Sequence, residues 1–310
     1  MALTLTKPKK KVKKAITSFR VRLRTRNFTA EALREKLYTT FFPKLAVVRL
    51  GSLTPVEEIT GIRDVIEINK PEAIEISRDK KLMKEAFTNN KVKTANWYYA
   101  WGPKFKVEVD NNIPHTIHFM NSTINKNGET VIKPSLINEL PYPILSKSRT
   151  GQGGSGNTLH KDQKSLQEWM KGKTLSNYIF EEFYNYAREY RLHVTQEGTF
   201  LVWRKMRKSD AKDRWYFNSD NCVWIGEENP LFDKPVNWDE CVQQCVLALK
   251  SVGLDIGAVD IRIQSAEDKD GNKRKTCDFI VLETGSAPSL GLLGSNAYYE
   301  QIVKIIQKRL

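Results

Sequence analysis

Two acidic residues late in the sequence have the types and positions that a metal site needs. Asp260 lies within the apolar segment GAVDIRI, and Glu283 follows the apolar segment DFIVL. Mg²⁺ prefers oxygen ligands and commonly links protein carboxylates to phosphate groups. A buried strand seldom carries an unpaired acid, because burying its charge is costly. Both carboxylates are candidate Mg²⁺ ligands, and the alternative is salt bridges to Arg262, Arg274 or nearby lysines.

A glycine-rich loop follows an apolar strand that ends in Lys147. The loop residues that could contact a ligand are Gly151, Gly153, Gly154, Ser155 and Gly156. Glycines let backbone N–H groups approach phosphate oxygens, and the lysine adds a positive charge. The segment is not a P-loop, because the order GK[ST] is absent and the lysine precedes the glycines. It is a candidate triphosphate cradle, and the alternative is a flexible turn.

A third polar segment surrounds the sequence IFEEFYNYAREYRLHV. Glu181 and Glu182 end one predicted strand, and Glu189 and Arg191 follow after a polar gap. A carboxylate at a strand end can accept a hydrogen bond from an adenine amino group, and another can accept from ribose hydroxyls. The alternative is an ordinary charged strand edge.

Hydrophobic periodicity predicts strands and helices around these segments. Residues 18–25 alternate apolar and arginine side chains, which predicts a half-exposed strand, and Asn127-Gly128 predicts a hairpin turn. Asn237 and Glu240 predict a capping box at the start of a helix that stops at Gly253. The other predicted helices cover 29–37, 71–89, 162–170 and 296–309, and the other predicted strands cover 45–52, 65–69, 104–109, 115–119, 178–183, 190–194, 199–205, 257–263 and 278–283.

Composition limits the class of protein. The chain has 310 residues, of which 40% are hydrophobic, so it is long enough to bury a sizeable core. It has no run of eighteen apolar residues and no apolar segment behind its basic N-terminus, so we expect a soluble, cytoplasmic protein without a membrane span or signal peptide. Its four cysteines show no CxxC pair. We expect reduced core thiols, with Cys241 and Cys245 packed in a helix rather than bound to zinc.

The positive charge is concentrated at the N-terminus. The net charge is +14, and residues 1–26 contain ten Lys and Arg but no Asp or Glu. The rest of the chain is therefore nearly balanced. Two interpretations stay open: a solvated, disordered arm over residues 1–17, or a contact of residues 1–26 with a polyanion such as nucleic acid.

Taken in order, these segments resemble the ATP-grasp superfamily, and most closely its RimK-type carboxylate–amine ligases. The resemblance extends from Leu45 to Leu310 and includes NKPEAIEISRDKKLMKEAF, PILSKSRTGQGGSG, FEEF with REYR, LVWRKMRK, and VDIRI with LETGSAP. The Lys- and Asn-rich composition is also compatible with a phage or bacterial source.

The resemblance implies a role for each of the polar residues. Lys80 and Lys147 would contact phosphates beneath the glycine loop, the strand Glu181–Phe183 would read adenine, and Glu189 would hold ribose. Arg191 would face the reacting phosphate, and Arg204 or Lys205 would lie near an acyl phosphate. Asp260 and Glu283 would bind Mg²⁺. No catalytic Ser, His or Cys is expected.

The resemblance further implies an α/β ATP-grasp fold with an N-terminal Rossmann-like pre-ATP-grasp domain. The predicted divisions are the basic arm at 1–17, the pre-ATP-grasp domain at 18–95, the ATP-grasp lid or A subdomain at 96–180, and the B subdomain with the metal site at 181–310. The implied activity is an ATP- and Mg²⁺-dependent ligation of a carboxylate to an amine, each on a small molecule or peptide. An acyl phosphate would be the intermediate, and ATP would become ADP and phosphate.

One departure from the family pattern leaves two other functions open. The last motif commonly reads Glu-x-Asn, and this chain has Gly285 in the third position, so one metal-binding oxygen is missing. A nucleotide-binding protein without ligase activity, serving a structural or regulatory role, is therefore an alternative. A nucleic-acid-binding module that uses the arm and the aromatic segment 96–101 is another.

Overall fold

The computed structural model describes residues 19–25, 27–60, 65–100, 117–211, 215–218 and 220–310. The predicted arm at 1–17, the predicted strand at 104–109 and Trp101 lie outside these residues. Three β-sheets, each with helices packed against it, make up the described part of the chain.

The first sheet is mostly parallel. It consists of β1 (Phe19–Thr25), β2 (Phe41–Phe42), β3 (Ala46–Leu50) and β4 (Ile66–Ile68) in the order β2-β1-β3-β4. The pairs β1–β3 and β3–β4 are parallel, and β1–β2 is antiparallel. Val21 and Leu23 are buried while Arg20, Arg22 and Arg24 are exposed, which confirms the predicted alternation. Helices α1 (Glu31–Thr39) and α2 (Val56–Thr60) follow β1 and β3 in the chain.

The second sheet is antiparallel. Its strands are β5 (Trp97–Ala100), β6 (Phe119–Ile124), β7 (Thr130–Ser135), β8 (Ile144–Ser148), β9 (Thr158–His160) and β10 (Tyr178–Glu182), in the order β7-β6-β5-β10-β8-β9. The predicted hairpin turn joins β6 to β7, and Gly128 has the positive φ of 84° that this turn requires. Helix α5 (Gln163–Met170) contributes Leu166 and Met170 to the apolar core of this sheet.

The third sheet carries most of the polar residues of interest. It consists of β11 (Arg188–Thr195), β12 (Gly198–Arg207), β13 (Cys222–Ile225), β14 (Ile256–Ile263) and β15 (Phe279–Gly285), all antiparallel, in the order β13-β12-β11-β14-β15. Helix α6 (Trp238–Ser251) packs on it through Cys241 and Cys245, which are fully buried. All four cysteines are free and buried, as predicted.

The predicted helix at 71–89 is two helices, α3 (Pro71–Arg78) and α4 (Lys80–Asn89). Asp79 separates them because its backbone is extended (φ −90°, ψ 110°) and its carboxylate accepts hydrogen bonds from the backbone N–H groups of Lys81 and Leu82. This is an N-cap, which starts a new helix. Lys80 is therefore the first residue of α4 rather than a residue inside a long helix.

Two helix starts also differ from the sequence-based expectation. The Asn237 side chain does not cap α6: its Oδ1 accepts from the backbone N–H of Cys277, and its Nδ2 donates to Glu240. The predicted capping box is therefore wrong. The last helix, α7 (Gly291–Arg309), begins five residues before the predicted start.

The C-terminal helix joins the N-terminal sheet. Tyr298, Ile302 and Ile306 of α7 belong to the same apolar cluster as Val21 and Leu23. Strand β10 in turn crosses the division predicted between residues 180 and 181. The domain boundaries stay a prediction. Within the described residues, none of the helices has the length and apolar character needed to cross a membrane.

Candidate active site

A cleft of about 820 Å³ lies where the three sheets approach one another. Most of the residues singled out in the sequence line it: Lys80, Lys147, Gly151, Gly153, Gly154, Glu181, Glu182, Phe183, Glu189, Arg191, Lys205, Asp260 and Glu283. Three others, Ser155, Gly156 and Arg204, are not part of its lining. The fold thus brings together residues more than 200 positions apart in the chain.

Glu181 is held between two lysines inside the protein. Lys147 Nζ donates to Glu181 Oε2 at 2.5 Å, and Lys84 Nζ lies 3.1 Å from Oε1. Burial raises the pKa of the Glu181 carboxyl, but the charges of Lys147 and Lys84 outweigh it and lower the pKa to about 2. Both carboxylate oxygens are therefore engaged by protein groups. Glu181 is therefore an ion-pair partner of two lysines, and its contact with adenine stays a prediction.

Lys80 connects helix α4 to the glycine loop. Its Nζ donates to the carbonyl oxygen of Gly151 at 2.5 Å, and its backbone N–H donates to the carbonyl of Arg149 at 2.9 Å. Burial lowers the pKa of Lys80, and the nearby carboxylate of Glu283 partly offsets this effect. The loop beside it requires glycine, since Gly153 and Gly154 have φ angles of 59° and 82°. A lysine and closely approachable backbone amides therefore share one wall of the cleft.

A second wall is aromatic. Phe183 follows β10 and lies 6.4 Å, centroid to centroid, from Trp215 in an edge-to-face arrangement. Phe183, Trp215, Tyr216 and Phe217 all line the cleft. Nucleic-acid bases stack on such rings. The neighbouring Glu182 is already engaged, because its Oε2 accepts from Asn96 Nδ2 at 2.7 Å and from the Tyr184 hydroxyl at 3.1 Å.

The third sheet contributes a chain of alternating charges to the cleft floor. Arg191 donates to both oxygens of Asp260, at 2.7 and 2.8 Å, and Lys205 bridges Asp260 (2.8 Å) and Glu189 (2.6 Å). Arg262 also pairs with Glu189, at 2.8 Å. Burial raises the pKa of Asp260, but Arg191 and Lys205 hold it well below its usual value. Glu189 is consequently a partner of two cations rather than a free acceptor for ribose.

Glu283 differs from these acids because its side chain makes no hydrogen bond or ion pair with any described residue. It faces Asp260 directly across the pair β14–β15. Magnesium usually binds proteins through one or two carboxylates and completes its shell with water and substrate phosphates. Asp260 Oδ2 accepts from both Arg191 and Lys205, whereas Oδ1 accepts from Arg191 alone among the described residues and keeps one lone pair. Gly285 supplies no side-chain oxygen. These two carboxylates fit that binding mode, although the described residues contain no group of three potential metal ligands.

Arg204 and Lys205 point to opposite faces of β12, as neighbours on a strand must. Lys205 is buried at the cleft floor, whereas Arg204 donates to the backbone carbonyls of Leu231 and Phe232 and stacks over Tyr190. The sequence left the choice between them open. The structure brings Lys205 into the cleft, and we leave Arg204 out of the proposed site.

The sequence analysis assigned no role to several residues in or beside the cleft. Lys84 is fully buried and is not part of the cleft lining. It lies one helical turn after Lys80, on the same face of α4, so its spacing was a usable signal. Arg262 lies two residues after Asp260 on β14. The sequence analysis considered it only as a salt-bridge partner for Asp260 and Glu283. Arg78 and the aromatic segment 215–217 carry no pattern that distinguishes them from surface residues.

Comparisons with known proteins agree with this architecture. The structure is similar to that of D-alanine–D-alanine ligase from Bacillus anthracis complexed with ATP, with a TM-score of 0.52, 13% sequence identity, and coverage of 85% of this chain and 78% of that one. A second structure of the ligase from the same organism gives a TM-score of 0.51 at 14% identity, over 84% and 78% of the two chains. The chain has the ATP-grasp fold.

This result confirms the predicted fold class. The parallel first sheet is the expected Rossmann-like part of an ATP-grasp protein, and the cleft lies between it and the two antiparallel sheets. No protein-family profile matches the chain, and no curated protein matches its sequence.

Proposed function

We propose that the chain is an ATP- and Mg²⁺-dependent carboxylate–amine ligase. The observation that carries this proposal is the convergence, in one cleft of an ATP-grasp fold, of Lys80, Lys147 and the glycine loop with Asp260 and Glu283. Such a set offers cations and amides for phosphate groups and carboxylates for a metal.

One part of the cleft would hold the nucleotide. The base would stack among Phe183 and the aromatic segment 215–217, since these rings line the cleft next to the strand end of β10. Lys147 would reach the α- and β-phosphates, held in place by Glu181. Lys80 would neutralise phosphate charge while staying bonded to the glycine loop. Positioning and charge neutralisation of this kind are most of what phosphoryl transfer needs.

Another part would hold the reacting groups. ATP would supply the phosphoryl group that activates the substrate carboxylate, and the amine would then displace phosphate. Asp260 and Glu283 would hold Mg²⁺, which neutralises phosphate charge when bound. Arg191 and Lys205 keep Asp260 ionised and fixed in orientation. Arg191 and Lys205 would therefore act on the metal through Asp260. Glu189 in turn accepts from Lys205 and Arg262 and so fixes the position of Lys205.

The finer features of the activity are also proposals. The motif order resembles RimK-type ligases, so the acid and the amine would be small molecules or peptides. The predicted contact of residues 1–26 with a polyanion would be separate from the cleft. The activity would take place in the cytoplasm.

Release of ADP and phosphate tests the proposal. The full chain is incubated with ATP and Mg²⁺ and with pairwise mixtures of amino acids, short peptides and dicarboxylic acids. A ligase releases ADP and phosphate in equal amounts only when an acid and an amine are both present, and EDTA stops the release. Condensation products with the mass of acid plus amine minus water complete the evidence. ATP binding without release in any mixture would contradict ligase activity.

The alternative of a nucleotide-binding protein without ligase activity is favoured by two observations. Asp260 is already neutralised by Arg191 and Lys205, and Gly285 removes an oxygen from the motif. Under this alternative the chain would bind ATP with little dependence on Mg²⁺. Titrating ATP with and without Mg²⁺ therefore discriminates between the two functions.

A further inference from the structure

The side chain of one arginine of the cleft has no partner among the described residues. Arg78, the last residue of α3, lines the cleft and is half-buried, yet its guanidinium makes no hydrogen bond or ion pair with any of them. The other arginines of the lining, Arg191 and Arg262, are both bonded to carboxylates. A guanidinium withdrawn from bulk water gains most from an anion that it can hold through two parallel hydrogen bonds.

Local contacts place Arg78 beside the end of β15. Ser77, its neighbour in α3, donates to the backbone carbonyl of Thr284 at 3.2 Å, and the Thr284 hydroxyl donates back to Ser77 at 3.2 Å. Thr284 follows Glu283 directly. The end of α3 is thus tied to the strand that carries the free carboxylate of Glu283, and Arg78 lines the same cleft.

The loop after β15 adds a hydroxyl to this region. Ser286 is only 4% exposed and lines the cleft, and it makes no hydrogen bond with a described residue. The loop is held from the other side, because Asn27 donates to the Pro288 carbonyl and the backbone N–H of Leu290 donates to Thr29 at 3.0 Å. The Ser286 hydroxyl therefore lies in a loop that is held in place by hydrogen bonds to Asn27 and Thr29.

Close packing also holds this loop in place. Gly51, at the end of the first sheet, has a φ of 78°, and a Cβ added there would lie 2.7 Å from Cβ of Ala287. No side chain larger than hydrogen fits between the two loops without a shift. The loop that carries Ser286 is therefore packed closely against the end of the first sheet.

We infer that Arg78 and Ser286 form a subsite for a carboxylate that the reaction does not consume. In the proposed site the nucleotide phosphates are contacted by Lys80, Lys147 and the glycine loop. The positive charge of Arg78 is therefore available to bind the substrate. The substrate that occupies this subsite is an amino acid, a peptide or a dicarboxylic acid with a free carboxylate. This inference rests on the proposed function and narrows the class of substrate that it uses.

Calorimetric titration of the full chain, saturated with ADP and Mg²⁺, tests the subsite. The probes are succinate, L-glutamate and L-alanyl-L-alanine, each compared with its fully amidated form. Succinate reports a carboxylate on the acid substrate, and the dipeptide reports one on the amine substrate. We expect at least one free acid to bind, and we expect its amide to bind with an affinity at least about tenfold lower. A hydrogen bond to a charged group changes binding affinity by a factor of about this size.

Three variants assign the binding to these residues. Arg78→Met should lower the affinity for the free acid at least about tenfold. Arg78→Lys should lower this affinity less, because lysine keeps the charge but not the paired donors. Ser286→Ala should lower the affinity for the free acid about two- to tenfold. Arg34→Met is the matched control, since Arg34 lies on α1 outside the cleft lining and pairs with Glu31. It should bind like the wild type.

The inference is overturned if none of the free acids binds the wild type, if the amides bind equally well, or if Arg78→Met binds like Arg34→Met. ADP titrations on the same samples report separately on the proposed function. Carboxylate binding that depends on Arg78, in a protein that does not bind ADP, would keep the subsite and refute the nucleotide site. Circular dichroism and urea unfolding of each variant exclude loss of the fold as the cause.

Discussion

Replacing Glu181 with glutamine removes the negative charge that Lys84 and Lys147 share inside the protein. Glu181 has a pKa of about 2 in the folded protein against an ordinary value of 4.5. This difference corresponds to about 3 kcal/mol of stabilisation. Removing one partner of a buried ion pair costs about 3–5 kcal/mol, because the remaining charge stays buried without compensation. We therefore expect Glu181→Gln to lower the free energy of unfolding by about 3 kcal/mol at pH 7.

A second variant identifies the cause of this loss. Lys84 is fully buried, whereas Lys147 reaches the cleft and can be hydrated there. The double variant Lys84→Met, Glu181→Gln should thus recover much of the stability lost in Glu181→Gln, because the more deeply buried orphan charge is gone. Glu182→Gln is the matched control, since its side chain is bonded only to Asn96 and Tyr184 at the cleft edge. It should change stability by less than about 1 kcal/mol.

Urea unfolding at several pH values measures these quantities. Because the pKa of Glu181 is lowered by folding, its stabilisation is complete above about pH 4.5 and is lost as the pH falls toward 2. The difference in stability between the wild type and Glu181→Gln should therefore shrink over that range. A loss of less than about 1 kcal/mol in the free energy of unfolding at pH 7, or strictly additive effects in the double variant, would refute the stabilising role of the Glu181 ion pairs with Lys84 and Lys147.

Two further predictions concern the carboxylate of Glu283, a proposed Mg²⁺ ligand, and the basic arm. Glu283→Gln should lower substrate-dependent ADP release at least about 100-fold, because metal ligation contributes several kcal/mol to the transition state. It should abolish the effect of Mg²⁺ on ADP affinity and change the free energy of unfolding by less than about 1 kcal/mol, since the carboxylate bonds to none of the described residues. Full Mg²⁺-dependent release by this variant, or its failure to fold, would make Glu283 a structural residue. Deleting residues 1–17 should leave ATP affinity within about twofold of the wild type, because the arm charges lie outside the motifs of the cleft; a large loss in a folded truncation would show that the arm reaches the cleft.

Local patterns were enough to predict most elements of the fold. Alternation in β1, the hairpin turn at Asn127-Gly128 and the apolar face of α6 each depend on residues close in sequence. The break at Asp79 was missed because an aspartate within an apolar periodic segment does not reveal whether its backbone is helical. The start of α7 was missed because its first residues include two glycines, which are weak helix formers.

The sequence pointed to most of the polar residues that line the cleft, but it did not reveal which residues they bond to. Glu181 and Glu189 were expected to contact the nucleotide, and each instead bonds to two cations from other strands or helices. Such pairings depend on the order of strands in a sheet, which no local pattern encodes. The direct cross-strand pairing of Asp260 with Glu283 has the same origin. Sequence reasoning could therefore name the acids and bases of the cleft without knowing which of them are left free.

Equilibrium binding of a non-hydrolysable ATP analogue is the most direct measurement of the nucleotide site. Isothermal titration of the full chain in the presence of Mg²⁺ should show one site per chain. Lys147→Ala should weaken that binding at least about tenfold, as expected for the loss of a charged hydrogen-bond donor to phosphate, while the fold is kept because Glu181 retains Lys84. Lys164→Ala, an exposed lysine on α5 outside the cleft lining, should bind like the wild type. Absence of binding to the wild type, or unchanged affinity in folded Lys147→Ala, would contradict the proposed ATP site.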